Sequence, residues 1–237
     1  LKKFPEIVFE DGKFDFNHST NTYVQAGYTV TASSQRTDDK NAANLYEDNF
    51  PVTTQNDTWQ TLTNIYDVNG DATSDYALTG ITGGVGSRNG SYTTLELPHK
   101  IKLSYIQIQT RNSDDFASPM HPKQIYLYGS NDGSSWTQVG SHLFTSIPTS
   151  PVWQKIDINS TTPYNYFALQ VTSVLNNEAR TSICQLRYYG YEELATQGDT
   201  SIDTTFTSIM NTPQTTGAQV YVDGNLGETF TNRVVGP

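Results

Sequence analysis

Four histidines, one cysteine and two Asp-Asp pairs are the residues of this 237-residue chain from which chemistry would start. His18, His99, His121 and His142 are scattered, and none stands in a metal-ligand spacing such as HExxH. There is no GxSxG, no phosphate-cradling glycine loop and no CxxC. Cys184 stands alone, so no intrachain disulfide can form, and it reads as a small apolar residue inside a strand. Asp38-Asp39 and Asp114-Asp115 could serve glycoside hydrolysis in principle, but adjacent acids in polar loops are more often solvated or bound to calcium. The chain is expected not to be an enzyme.

Composition narrows the remaining classes. With 14 basic against 24 acidic residues the formal net charge is −10, which disfavours nucleic acid and simple adsorption to anionic lipid. No run approaches the ~18 apolar residues of a membrane span, so no membrane insertion is expected. Nor is there an apolar signal-peptide core. Charged residues make up only 16% and aromatic residues 12%, with 15 tyrosines and frequent Ser, Thr and Asn, which suits Thr- and Tyr-rich strands joined by polar loops. One core plus an appendage is the simplest fit to the length.

The elements that must position any site are strands. Gln124 to Val139 predicts a β-hairpin: Ile125, Leu127 and Gly129 alternate with Tyr126, Tyr128 and Ser130, and Asn131-Asp132-Gly133 supplies the turn. One face of this arm is expected to be buried, and Trp136 begins the return arm. Tyr28 to Ser34 alternates in the same way and is expected to open the core. Leu95 and Leu97 share a face and Pro98 reads as a strand end, so two adjacent strands are expected between Thr93 and Ile108. Val152–Ile158, Tyr166–Val174 and Ile183–Tyr191 complete the set. Asn64 to Gly90 is a long polar excursion, a length that usually marks function or insertion. Residues 1–27 read as a lead-in that packs as an edge strand or hairpin or links to an upstream domain. After Glu193 the composition turns to Thr and Ser, ending in GAQVYVDGNLGETF, which predicts strand, Asp223-Gly224 turn and strand.

YGSNDGSSWTQV resembles the signature hairpin of the discoidin-like domain, also called coagulation factor 5/8 type C, whose members are galactose-binding-like β-sandwiches. YTVTASS, AANLYEDN, DTW, LELPHKIKLSYIQIQTR, YNYFALQVTSV and SICQLRYYGYEE follow in the order of that family, so the resemblance covers residues 28–193. It implies an all-β jelly-roll sandwich with a short β-rich C-terminal extension. The YVDG piece of residues 194–237 is similar to the start of a laminin-G or concanavalin-like module, too short to fold as one. Together these modules resemble surface proteins of large DNA viruses of algae and protists and of marine microbes. They imply a fragment of a larger protein, extracellular or on a virion surface.

The resemblance also carries site residues. In the family a structural calcium ion sits between the loop after NLFDG and a Glu of the closing strand. The matched positions here are Glu47, Asp48, Thr58 and Gln185, with Asp48, Asn49 and Thr58 as candidate metal ligands beside backbone carbonyls. Gln185 removes one anionic ligand, and an ion-free loop held by hydrogen bonds stays open. Ligands of the family bind at loops on one end of the sandwich, which correspond to residues 36–40, 50–56, 111–121 and 176–181. Arg111, Asp114, Phe116, Asn176 and Arg180 supply there the polar groups and aromatic face that a sugar needs. Each could equally be an ordinary surface residue, and Arg180 could simply pair with Glu178. Trp59 and Trp136 are expected to brace the core, with Trp153 as a further possible platform.

The expected function is a non-catalytic carbohydrate-binding or adhesion module on a surface, with glycans or glycoproteins and other surface or capsid proteins as partners. Two alternatives stay open: a structural capsid-associated or fibre protein making protein contacts, and an accessory binding module of a larger secreted enzyme.

Overall fold

The computed structural model describes residues 1–10, 13–17, 19–48, 50–52, 57–73, 76–83, 86–193, 219–222 and 225–229. The chain divides into two units, Leu1–Glu193 and Leu194–Pro237. The first is an all-β sandwich built from strands β1 (Lys2–Phe4), β2 (Asp15–Asn17), β3 (Thr22–Gln25), β4 (Tyr28–Ala32), β5 (Trp59–Gln60), β6 (Tyr92–Thr110), β7 (Pro122–Ser130), β8 (Thr137–Leu143), β9 (Gln154–Asp157), β10 (Tyr164–Val174) and β11 (Ser182–Glu192). Every pairing among these strands is antiparallel.

Strand β6 serves both layers. Its first half pairs β4 and β10, with Leu95 opposite Val30 and Phe167, while its second half pairs β11 and β9, with Ile106 opposite Tyr188 and Ile156. One layer therefore runs β2-β3-β4-β6-β10-β7-β8, and the other sets β1 and β5 against β11, then β6 and β9. The sequence reading expected two strands broken at Pro98; the structure has one. Proline cannot donate to a ladder, and Pro98 falls between the paired residues Glu96 and Ile101, where the strand passes from one layer to the other. Between the layers Leu95, Ile106, Ile108, Leu127, Leu169 and Leu186 are buried in one cluster. Phe167 and Tyr188 meet across it at 5.4 Å between ring centroids.

The expected lead-in lies within this unit. Strand β1 pairs β11, and Phe4 and Phe9 reach the core. The hairpin of Gln124 to Val139 is β7 and β8, with Leu127 opposite Gly140. Its outer face differs from expectation, because Tyr128 is as buried as Leu127. The excursion accounts for this: Leu78 packs with Tyr128, Trp136 and Ala168 in a second cluster. Trp136 donates its backbone N–H to Gly80 O at 2.8 Å, and Thr82 N–H bonds Trp136 O at 2.8 Å. A polar segment that read as a loop is thus a cover over the sheet. Trp59 is fully buried and its ring N–H donates to Ser34 O at 3.0 Å.

In the second unit β12 (Gln219–Val222) pairs antiparallel with β13 (Asn225–Thr229). The turn expected at Asp223-Gly224 lies outside the described residues. Among the described residues no helix is long and apolar enough to cross a membrane.

Candidate functional site

Strand pairing brings three of the expected loops to one end, while residues 53–56 of the fourth lie outside the described residues. The end of β6 pairs the start of β11, with Thr110 opposite Ile183, so the loops 111–121 and 175–181 emerge together. Strand β5 pairs the same stretch of β11, and Arg36 N–H bonds Gln60 O at 2.9 Å, which delivers the segment after β4 to that end. Thr61 and Thr181 lock the junction through two hydrogen bonds of 3.1 Å.

Arg111 and Phe116 lie beneath this end and are not part of its surface. Phe116, expected to be exposed, is 2% accessible and packs with Val52 and Cys184. The cause is local: Asn112 Oδ1 accepts from the N–H of Asp114 and of Asp115 at 3.0 and 2.8 Å, closing a turn after which the ring points inward. Arg111 is fully buried over that ring, 4.6 Å from its centroid. Its guanidinium donates to Ser118 O at 3.1 Å and Thr58 Oγ1 at 3.3 Å, while Nε has no partner. Burial lowers its pKa to about 10, so it remains charged at neutral pH.

Arg180 is half-buried, with Nη1 enclosed and without a partner. Arg36, which the sequence reading did not single out, stands near enough that its charge and that of Arg180 repel; its Nη1 donates to Gln60 Oε1 at 3.3 Å. Burial first, and then Arg36, hold the Arg180 guanidinium below its usual pKa, against the pull of Glu178. Glu178 is not free to pair fully, since its Oε1 accepts from Ser118 Oγ at 2.7 Å. None of Arg36, Arg111 and Arg180 makes an ion pair among the described residues. Asp114 is exposed on the 111–121 loop, and Asn176, also exposed, takes left-handed backbone at φ +57°. The only early signal for Arg36 was its place at the head of the polar segment that follows the first core strand.

Neither Cys184 nor His121 is poised as a nucleophile or base. Cys184 is buried, and burial pushes its thiol up to about 12. His121 Nδ1 lies 2.6 Å from Pro122 O, which can only accept, so Nδ1 carries the proton and Nε2 accepts from Thr110 Oγ1 at 2.7 Å. Trp153 is not an open platform, because the Arg187 guanidinium sits 4.1 Å from its centroid and Phe50 stacks on it at 5.5 Å.

Of the expected calcium ligands, Asp48 and Thr58 are already engaged by other groups. Asp48 is paired with Arg187 and has Lys3 Nζ at 3.9 Å. Thr58 Oγ1 is buried among donors from Arg111, Ser182 and Gln60 at 3.3, 3.1 and 3.2 Å. Gln185 turns its amide N–H toward Asn44 O at 3.2 Å, where a calcium carboxylate would carry negative charge. Asn49 lies outside the described residues. Elsewhere Glu6, His99 and Glu192 converge, but Lys2 Nζ already pairs Glu192 at 2.8 Å and Glu6 at 3.5 Å.

No protein-family model matches the chain, and no curated protein matches it. Among solved structures it is similar to the C-terminal domain of a chitobiase from Bacteroides fragilis, at 15% identity and a TM-score of 0.48, covering 72% of this chain and 98% of that one. It is also similar to a Clostridium perfringens module, CpGH89CBM32-5, in complex with GalNAc-β-1,3-galactose, at 15% identity and a TM-score of 0.47, over 69% and 96% of the two chains. A third is the family 32 carbohydrate-binding module of C. perfringens NanJ in complex with galactose, at 16% identity and a TM-score of 0.44, over 69% and 93%.

Proposed function

We propose that residues 28–193 form a non-catalytic carbohydrate-binding module that grips a glycan at the loop end through Arg36 and Arg180. The observation that carries this reading is two neighbouring guanidinium groups with no ion pair among the described residues, of which Arg180 has Nη1 enclosed and unpartnered. A buried donor left without a partner is costly, and it gains most from a ligand with closely spaced acceptor oxygens. In a chain of net charge −10 these two guanidinium groups are charged donors without an ion-pair partner among the described residues, and on that ground glycans with a carboxylate or sulfate should bind ahead of neutral ones. Asp114 and Asn176 at the rim serve as acceptor and adaptable amide for sugar hydroxyls. Arg111 and Phe116 act from below, holding the loop that carries Asp114. As the resemblance implies, we place the module on the outer surface of a virion or cell and read residues 194–237 as the opening of a laminin-G-like module.

Arg180→Ala is expected to weaken binding of an acidic glycan at least about tenfold, the usual cost of a charged hydrogen bond. Titration calorimetry in low and high salt checks this: wild-type affinity should fall with salt and the variant should respond less. An unchanged affinity in the variant would remove Arg180 from the site.

We further propose that the loops are held without calcium, by the Arg187–Asp48 pair and by the Arg111–Thr58 and Gln185–Asn44 hydrogen bonds. Chelator is then expected to leave the melting temperature and the glycan affinity unchanged. A fall restored by added calcium would show that the loop holds an ion.

A further inference from the structure

On the outer face of the first layer, sharing no lining residue with the loop end, lies a cavity of about 380 Å³, within the range of small-molecule sites. Its floor is the outward-facing row of β6, Tyr92, Thr94 and Glu96, beside Thr29 and Thr31 of β4. Alternation along both strands produces this row, because Val30, Ala32, Leu95 and Leu97 point into the core. The walls are Leu78 and Thr79 of the excursion, Gly133 and Ser134 of the hairpin turn, and Tyr166, with the edge of the buried Trp136 behind them.

The chemistry of the lining is selective. Tyr166 OH donates to Glu96 Oε1 at 2.6 Å, which orients the carboxylate, while Oε2 accepts no hydrogen bond among the described residues. The hydroxyls of Thr31 and Thr94 bond each other at the floor. Among the described residues Glu96 is the only Asp, Glu, Lys, Arg or His lining the cavity, so these residues repel an anion and offer it no anchor. Aromatic rings beside one oriented carboxylate and a row of hydroxyls match a ring with one apolar face and a hydroxyl-bearing edge.

We propose that this cavity is a second binding site, for an uncharged pyranose whose hydroxyls donate to Glu96 Oε2 and whose apolar face lies on the Tyr92 and Tyr166 side. It is independent of the loop end, which takes acidic glycans by the reading above. Two sites on one module would let it hold a branched or extended glycan by avidity.

The test uses the full chain carrying Arg36→Gln and Arg180→Gln, which silences the loop end and separates failure of one site from failure of the other. Methyl β-galactopyranoside and methyl β-glucopyranoside are titrated by amide NMR. Shifts are expected at Leu78, Thr79, Thr94, Glu96, Ser134 and Tyr166. Glu96→Gln should weaken them about tenfold, and Thr79→Trp, at an exposed wall position, should abolish them. Should Thr79→Trp fail to fold, Glu96→Gln alone decides. No shifts with either sugar, shifts confined to the loop end, or shifts unaffected by Glu96→Gln in a folded protein would overturn the proposal, as would binding of an amino sugar in place of both neutral ones.

Discussion

Gly80→Ala is expected to cost about 3 kcal/mol, lowering the melting temperature by roughly 6–12 °C for a domain of this size. Gly80 has φ +76°, a left-handed conformation that costs any other residue about 1–2 kcal/mol. An alanine Cβ at this position would also lie 1.9 Å from the backbone oxygen of Ser134, so the excursion or the hairpin turn must move. Either movement strains the two 2.8 Å hydrogen bonds linking Gly80 and Thr82 to Trp136 and lifts Leu78 from Tyr128. The neighbouring Gly83 provides the control: φ is +84°, yet a Cβ there meets nothing within 4 Å. Gly83→Ala should cost only the backbone term, about 1 kcal/mol. Thermal unfolding of the two variants, with Trp136 fluorescence as the local probe, checks the difference. Equal losses would mean that the excursion is not clamped to the hairpin.

Acidification from pH 7 to pH 5 is expected to remove about 2 kcal/mol of stability through His121 alone. In the fold its pKa is lowered to about 4, first by burial, with the bond to Pro122 O opposing. In the unfolded chain a histidine takes its proton near 6.5. Below that value the unfolded state binds a proton that the folded state refuses, so stability is lost as pH falls from 6.5 toward 4 and is fully present above. Carboxylates titrate mostly below this window, which isolates the histidines. Denaturant unfolding at pH 7 and pH 5 measures the slope, and His121→Gln should flatten most of it, leaving the smaller share of His142, whose pKa burial also lowers. A slope that persists in His121→Gln would show that His121 is not held neutral.

Local chemistry was readable and packing at a distance was not. The hairpin could be read because its turn is self-contained: Asp132 Oδ1 accepts the N–H of Ser134 and Ser135 at 2.8 and 2.6 Å, bonds between near neighbours. Pro98 misled because proline is forbidden in a ladder and not at a gap in one, and the gap exists only once β6 has two sets of partners. Phe116 looked exposed because its neighbours are polar, yet the turn at Asn112 inverts it. Arg111 and Arg180 have the same side chain and share an end of the fold, but only the geometry of Thr58 and Ser118 shows that one is a brace. The cavity beside Tyr92 and Glu96 needed five segments that are separate in sequence, of which the excursion carries no periodic signal.

The measurement that bears most directly on carbohydrate binding at the loop end is a glycan array spanning acidic and neutral sugars, probed with the intact chain and with Arg36→Gln/Arg180→Gln. The account predicts binding to glycans bearing carboxylate or sulfate, lost in the double variant while its melting temperature stays within a degree or two of wild type. Silence on every acidic glycan from the folded chain, or acidic binding that survives the double substitution, would contradict it.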